Sequence, residues 1–252
     1  MDINNINIIF YILIGIIGVF IGMIIDWANV RLPEHKKVFS KEFFTVYIKN
    51  FKPNYLIVFA TGLICISILF IMGWQDNPTH KLKLIKYLLL TPMLISAFYI
   101  DKKLQIIPNR LNLCIFEVGL AFAFLHGMVN IYDGIEFILG GILGAGIFLV
   151  ITLIGGLIAG KEAMGFGDVK LMGALGLFFG WKMIIAVSLI AFLIAAISSI
   201  FLIITKKKKT SEYIPFGPFI VIASFIVMLV PSNILIFSLF KIFTLGLYKG
   251  SL

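Results

Sequence analysis

Residues 135–159 read IEFILGGILGAGIFLVITLIGGLIA, a run with a single charged side chain, Glu136. A helix crosses the hydrocarbon core of a bilayer with roughly 20 consecutive apolar residues, so this run is long enough to span a membrane. Similar runs recur along the chain. We interpret eight runs as membrane spans: 6–25, 55–73, 84–100, 111–129, 135–159, 169–183, 183–204 and 215–231.

The composition of the whole chain agrees with these runs. Hydrophobic residues make up 61% of the sequence, and the mean hydropathy is +1.09, whereas a soluble domain is about half apolar. The sequence shows no repeat and no separate soluble region, so we expect a single integral membrane domain over residues 1–252. The predicted fold is all-α, a polytopic transmembrane helix bundle of about eight spans. The apolar tail after Pro231 is short, and the sequence leaves three placements open: a continuation of the last span, a position at the interface, or a ninth crossing.

The net charge of +9 predicts a membrane topology rather than a nucleic-acid partner. Cytoplasmic loops of membrane proteins carry an excess of Lys and Arg. The basic residues collect in four loops, at 31–52, 102–110, 161–170 and 206–209. This pattern predicts an N-terminus outside the cell, all four basic loops in the cytoplasm, and contact with membrane lipids. His80 and the lysines at 81, 83 and 86 lie near a predicted outer turn and run against the rule, but the inner clusters are larger.

Two further features of the apolar runs are explained by packing. Pairs of glycines four residues apart, such as Gly140 and Gly144, let helix backbones approach closely in lipid. The two cysteines, Cys65 and Cys114, each lie within an apolar run. We expect both to be buried as small hydrophobic residues, because no pair has zinc-ligand spacing.

Ionisable side chains at membrane depth are costly, so each one needs an explanation. We expect Asp26 to be solvated or to cap the first span, and Glu117 to make a hydrogen bond between helices. Asp101 and Asp168 have more specific surroundings. Asp101 ends the third span, and Asp168 starts the sixth.

The segments around these two aspartates break regular helix. In YIDKKLQIIPNRLN, Pro108 and Asn109 follow Asp101 and prevent a simple continuation of the helix. In KEAMGFGDVKLMG, Gly165 and Gly167 allow unusual backbone conformations and a close approach to another chain. Since both segments face the predicted cytoplasmic side, the topology places two carboxylates from different helices at the same depth.

Two neighbouring carboxylates can do acid–base chemistry. They share a proton near neutral pH because both cannot ionise comfortably at short range. The ionised partner can take a proton from water while the protonated partner polarises a carbonyl group, which amounts to amide hydrolysis. The same pair could bind and release protons in a transporter. The residues alone leave hydrolase, transporter and structural pair open.

Four segments resemble motifs of the type IV prepilin peptidases. DKKLQIIPNRLN, at 101–112, is similar to the D-x₆-P-N-x-L motif, and GFGDVKL, at 165–171, to the G-x-G-D-V-K-L motif. GMIIDWANVRLP, at 22–33, resembles an N-terminal family stretch, and IPFGPF, at 214–219, a C-terminal one. The four segments occur in the family's order and extend over most of the chain.

The resemblance implies a function and a set of site residues. It implies that Asp101 and Asp168 are the catalytic pair of a metal-free aspartic endopeptidase, supported by Gly165, Gly167, Lys170, Pro108 and Asn109. The implied substrate is a prepilin or pseudopilin, in which a short basic leader precedes a long hydrophobic helix. The substrate helix would enter from the lipid and be cut at the cytoplasmic face of the inner (plasma) membrane.

The sequence also departs from the family pattern. The loop 26–54 is short and has no cysteine, whereas many members carry a zinc-binding cysteine module there. Asp26 stands where the family usually has asparagine. Bifunctional members also methylate the new N-terminus with S-adenosylmethionine, but no glycine-rich cofactor loop is visible here, so methylation stays open.

Two alternatives remain beside the prepilin peptidase. One is another G-x-G-D intramembrane protease, which would cut helices other than pilins. The other is a proton-coupled transporter that uses Asp101 and Asp168. Transporters typically show related halves and broken helices at the bilayer midplane. The absence of an internal repeat and the position of both aspartates at the inner edge argue against transport.

Overall fold

The computed structural model describes residues 2–3, 6–34, 36–38, 42–47, 53–160, 164–205 and 214–243. In this part of the chain the fold is a helical bundle, as predicted. A short hairpin at the N-terminus pairs β1 (Asp2–Ile3) with β2 (Ile6–Asn7). The first loop contains a π-helical turn at Phe43–Tyr47. The α-helices are α1 (Ile8–Arg31), α2 (Tyr55–Met72), α3 (Pro78–Leu104), α4 (Asn109–Val129), α5 (Ile131–Ala159), α6 (Phe166–Ile204), α7 (Gly217–Leu229) and α8 (Ser232–Phe243).

Six helices of the described chain, α1 to α6, are long and apolar enough to cross a membrane. This confirms a polytopic membrane bundle but not the predicted count of about eight spans. The difference comes from two places. The predicted spans 169–183 and 183–204 both belong to α6, and the predicted span 215–231 corresponds to α7, which has only 13 residues.

Helix α6 consists of two legs that run in opposite directions. Gly180 has φ of 76° and ψ of 171°, which is not helical. A Cβ atom on Gly144 of α5 would touch both the carbonyl oxygen of Met172 and, at 3.0 Å, the side chain of Ile184. Twelve residues of straight helix would separate Met172 from Ile184 by about 18 Å, so the chain must reverse between them. The two predicted spans therefore correspond to the two legs.

Glycines make this hairpin possible. A Cβ atom on Gly140 or Gly176 would collide with the backbone of the other residue. The pairs predicted to pack helices thus bring α5 and the first leg of α6 into backbone contact. This contact holds the N-terminal end of α6 in place beside α4 and α5.

The first loop begins later than predicted, because α1 continues through Asp26 to Arg31. Asp26 is neither merely solvated nor a helix cap. Its Oδ2 accepts hydrogen bonds from the Tyr47 hydroxyl at 2.8 Å and from the Asn54 amide at 3.2 Å. Burial, followed by this hydrogen bond, raises the pKa of the Tyr47 hydroxyl. Asp26 therefore ties the end of the loop back to α1.

Other predicted features have mixed outcomes. Cys65 is buried, but Cys114 is exposed on α4, so its predicted burial is wrong. Glu117 is also exposed on α4 and makes no hydrogen bond to another helix within the described residues.

Residues 232–243 of the tail form α8, while 244–252 lie outside the described residues. The lysines 206–209, Lys161 and Glu162 also lie outside them.

The basic loops that the structure describes meet at one end of the bundle. The Arg110 guanidinium donates to the carbonyl oxygen of Lys36, which joins the first loop to the start of α4. The Asn112 side chain of α4 donates to the carbonyl oxygen of Gly167 at the start of α6. The ends of α1, α3 and α5 and the starts of α4 and α6 therefore lie together. We call this the site end of the bundle.

Candidate active site

Asp101 lies in the last turn of α3 and is 3% exposed. Helix α3 is the most buried of the long helices, and Leu90 and Leu94 on it are fully buried. The helix ends at Leu104. Its C-cap is Gln105, whose φ of 57° is left-handed and whose amide donates to the carbonyl oxygen of Asp101 at 2.8 Å. The buried helix thus delivers the carboxylate to the site end of the bundle.

Asp168 lies in the first turn of α6 and is 4% exposed. Gly165 precedes the helix as its N-cap, with an ordinary extended backbone (φ −69°, ψ 139°), and its carbonyl oxygen accepts from the Asp168 amide at 3.0 Å. Gly165 therefore does not use the conformational freedom that its sequence suggested. A carboxylate in the first turn of a helix is favoured by the partial positive charge of the helix N-terminus.

The structure brings the two aspartates into one cavity. This cavity has a volume of about 580 Å³ and lies at the site end of the bundle, between the end of α3 and the start of α6. Both side chains line this cavity. The residues that line the cavity are Asp101, Leu104, Gln105, Ile106, Ile107, Asn109, Met164, Gly165, Phe166, Gly167, Asp168 and Lys170.

Gly167 allows the segment between α3 and α4 to approach α6. A Cβ atom on Gly167 would lie 3.3 Å from the Cβ atom of Ile107, which is tighter than an ordinary contact. Pro108 follows Ile107 as the N-cap of α4, and its carbonyl oxygen accepts from the Asn112 amide at 3.2 Å. The predicted break at Pro108 thus begins a new helix beside the turn that carries Asp168.

Lys170 and Asn109 form a link between the two motifs. The Lys170 ammonium group donates to Oδ1 of Asn109 at 2.8 Å, and both side chains border the cavity. No ion pair joins Lys170 to Asp168 within the described residues. Lys170 therefore contacts the Pro-Asn motif of α4 directly.

Two residues that sequence reasoning did not assign to the site also contact it. The first is Asn112, which is buried. Its Nδ2 donates to the carbonyl oxygen of Gly167 at 3.0 Å, which holds the turn before Asp168. Asn112 belongs to the quoted segment PNRLN, so its polar side chain on an apolar helix was an available signal.

Gly217, at the start of α7, is the second of these residues. A Cβ atom on Gly217 would lie 2.6 Å from Oδ2 of Asp101, and the Gly217 amide faces the same carboxylate. Gly217 belongs to the quoted segment IPFGPF, but nothing local in that segment indicates a contact with Asp101. The C-terminal motif therefore packs directly against the carboxylate of Asp101.

The arrangement can perform acid–base chemistry on a peptide bond. Two buried carboxylates from different helices share one cavity, so one can be ionised while the other keeps a proton. Within the described residues no three His, Cys, Asp or Glu side chains are grouped closely enough to hold a metal ion. The donor set is that of a carboxylate pair.

Comparison with known proteins shows what the central region of the chain resembles. Residues 88–200 match the model of the type IV leader peptidase family. The matched residues include both Asp101 and Asp168. No solved structure matches the chain.

Curated proteins with a prepilin peptidase name are also similar to this chain. The chain is 36% identical over 142 residues to a prepilin leader peptidase/N-methyltransferase of Aeromonas hydrophila, an alignment that covers 56% of this chain and 48% of the relative. It is 29% identical over 175 residues to a protein of the same name from Xanthomonas campestris, covering 68% and 57%. It is 30% identical over 131 residues to one from Escherichia coli K12, covering 50% and 55%. The chain thus spans about half the length of the curated relatives that it matches.

Proposed function

We propose that this protein is a membrane-embedded aspartic endopeptidase that removes the basic leader from prepilin or pilin-like precursors. The observation that carries the proposal is the meeting of two buried carboxylates, Asp101 and Asp168, in one cavity at the site end of the bundle. The match of residues 88–200 to the type IV leader peptidase family supports it. The names of the curated relatives support the prepilin as the substrate.

The proposed reaction uses both aspartates. The ionised carboxylate takes a proton from a water molecule, and the protonated carboxyl group donates a hydrogen bond to the carbonyl oxygen of the scissile peptide. The resulting hydroxide attacks the carbonyl carbon, and the intermediate then collapses as the new amine receives a proton. The Asn112 side chain positions the turn before Asp168, and the Gly217 backbone positions the carboxylate of Asp101.

The orientation in the membrane follows from the loop charges. Arg31, Lys36, Lys102, Arg110 and Lys170 belong to the site end of the bundle. Because loops rich in Lys and Arg stay in the cytoplasm, the site end faces the cytoplasm of a cell whose inner (plasma) membrane holds the bundle. A basic leader would then be cut before its helix leaves that face, and the whole chain acts as one membrane domain.

Methylation of the new N-terminus is not part of the proposed mechanism. S-adenosylmethionine carries an adenosine and an amino acid group, which need their own polar partners. Among the described residues, Asp101 and Asp168 are the only carboxylates that line the cavity. Both act in the proposed proteolysis, so a site for this cofactor would have to use other polar residues.

A mass spectrum of a prepilin from the same organism tests the proposal. The precursor is co-expressed with the wild type, with Asp101→Asn or Asp168→Asn, or with the control Glu117→Gln, which changes an exposed carboxylate on α4. We expect the wild type and the control to remove the leader. Each aspartate variant should lose about 10³-fold in rate, as expected for removal of a general acid or base.

The same experiment separates the alternatives. Cleavage by either aspartate variant at the wild-type rate would contradict the assignment of the site. An intact prepilin with every variant, together with cleavage of other membrane helices, would indicate a different intramembrane protease. An added methyl group on the cleaved product would show that the protein also transfers methyl groups.

A further inference from the structure

A second cavity extends from the active site along the side of the bundle. It has a volume of about 710 Å³ and lies between α4, α5 and the first leg of α6. Its rim consists of large apolar side chains that are exposed, Leu113, Phe116 and Leu120 on α4 and Ile138 and Ile142 on α5. We call this feature the lateral groove.

The lateral groove adjoins the catalytic cavity. Asn109 and Lys170 line both of them, and these two side chains are joined by a hydrogen bond of 2.8 Å. Elsewhere around the catalytic cavity, Gly217 packs behind Asp101 and Ile107 packs against Gly167. A substrate that stays in the lipid can therefore reach the aspartates along this groove.

The floor of the groove suits a helix. It includes the small residues Gly141, Ala145, Gly173 and Ala174. Some of them pack α5 against α6, since a Cβ atom on Gly173 would lie 3.0 Å from the Cβ atom of Ala145, and their short side chains leave space above this contact for a third helix. The large residues of the rim would then flank a helix on both sides.

We propose that the lateral groove binds the hydrophobic helix of the precursor that follows the cleavage site. This inference rests on the proposed function and adds to it the surface that holds the substrate. From Asn109 to Leu120 the groove covers three turns of α4, or about 16 Å. It therefore holds about the first 11 residues of the substrate helix, which is half of a bilayer core of about 30 Å.

Photocrosslinking tests the proposal in the membrane. Benzoylphenylalanine is placed at Leu120 or, as a matched control, at Phe20 in the full-length protein, which is co-expressed with a tagged prepilin from the same organism. Phe20 lies on α1, is similarly exposed, and is equally far from the site end of its helix. We expect at least about tenfold more precursor adduct at Leu120, joined about 11 residues after the cleavage site. The probe at Leu113 should join it about four residues after the site.

A kinetic variant provides an independent measurement. Leu120→Trp adds bulk to the groove at an exposed position, and we expect it to raise KM for the prepilin about tenfold, while Phe20→Trp leaves KM unchanged. Two results would overturn the groove as the binding surface: equal adduct yields at Leu120 and Phe20, or adducts at Leu120 with lipid alone. In either case, cleavage by the unmodified protein would still support the peptidase. Absence of cleavage by the unmodified protein would overturn the proposed function and this inference with it.

Discussion

The backbone of Gly217 packs directly on the carboxylate of Asp101. A Cβ atom at Gly217 would lie 2.6 Å from Oδ2 and 2.9 Å from Cγ of Asp101. These two residues are far apart in the sequence and belong to different motifs. The start of α7 thereby determines where the carboxylate at the end of α3 can lie.

Gly217→Ala should impair catalysis because the added methyl group displaces the Asp101 carboxylate. A shift of about 1 Å at a catalytic group can cost on the order of 10²-fold in rate, and we expect a loss of that size in prepilin cleavage. Gly146→Ala is the control, since a Cβ atom there would meet nothing within 4 Å. Equal activity of the two variants would contradict the proposed contact.

Asn112→Ala should loosen the turn that carries Asp168. It removes the hydrogen bond to the Gly167 carbonyl oxygen, and such a bond contributes about 1 kcal/mol. We expect kcat to fall about fivefold, which is the rate equivalent of that energy, measured on purified protein with a prepilin. Asn112→Asp removes the same donor, so it should not restore activity. A kcat equal to that of the wild type in both variants would show that this hydrogen bond does not position the turn.

Gly176→Ala should destabilise the bundle, because its Cβ atom would collide with the backbone of Gly140. Overpacking of this kind costs about 1–3 kcal/mol. Thermal unfolding in detergent would measure the effect, with Gly146→Ala again as the control. If both variants unfolded at the same temperature, the backbone contact between α5 and α6 would be looser than described.

Lys86→Met should stabilise the protein. Lys86 is 2% exposed, and its ammonium group lies 3.9 Å from the ring centre of Phe137. Burial of an ammonium group in a protein interior costs several kcal/mol, whereas a cation–π contact contributes about 0.5–2 kcal/mol. Because the burial costs more than the contact contributes, we expect the free energy of unfolding to rise by about 1 kcal/mol or more. A lower stability of Lys86→Met would show that the charge has a partner that stabilises the fold.

Removal of divalent metal ions should leave proteolysis unchanged. The proposed chemistry needs only the two carboxylates, and no group of three or more His, Cys, Asp or Glu in the described residues could hold a metal ion. Prepilin cleavage with and without a chelator in the buffer would test this. Loss of activity with the chelator, and its recovery on adding a metal ion, would require a metal in the mechanism.

Much of the site could be predicted from the sequence, because its signals are local. A carboxylate at the end of an apolar run, followed by Pro108 and Asn109, indicates a helix end whatever the rest of the chain does. The predicted residues Asp101, Asn109, Gly165, Gly167, Asp168 and Lys170 all line the catalytic cavity. Their predicted roles in catalysis remain predictions.

Other predictions failed where the deciding contact lies far away in the sequence. The burial of Cys114 was predicted from its apolar neighbours, but the face of α4 that carries it is exposed. The first loop was predicted to begin at residue 26, but α1 continues to Arg31, and Asp26 accepts hydrogen bonds from Tyr47 and Asn54. Hydropathy cannot distinguish a helix that ends at the membrane surface from one that continues beyond it.

The sequence by itself determined that the chain forms apolar helices and that two aspartates lie at helix ends, since run length, hydropathy and helix-breaking residues act over a few turns. Only the tertiary structure decided that α6 reverses at Gly180 and that Gly217 packs against the carboxylate of Asp101. It also decided that the lateral groove meets the catalytic cavity at Asn109 and Lys170. These features depend on which helix faces pack together. That packing is set by long-range contacts between small residues and backbone atoms, which no local pattern encodes.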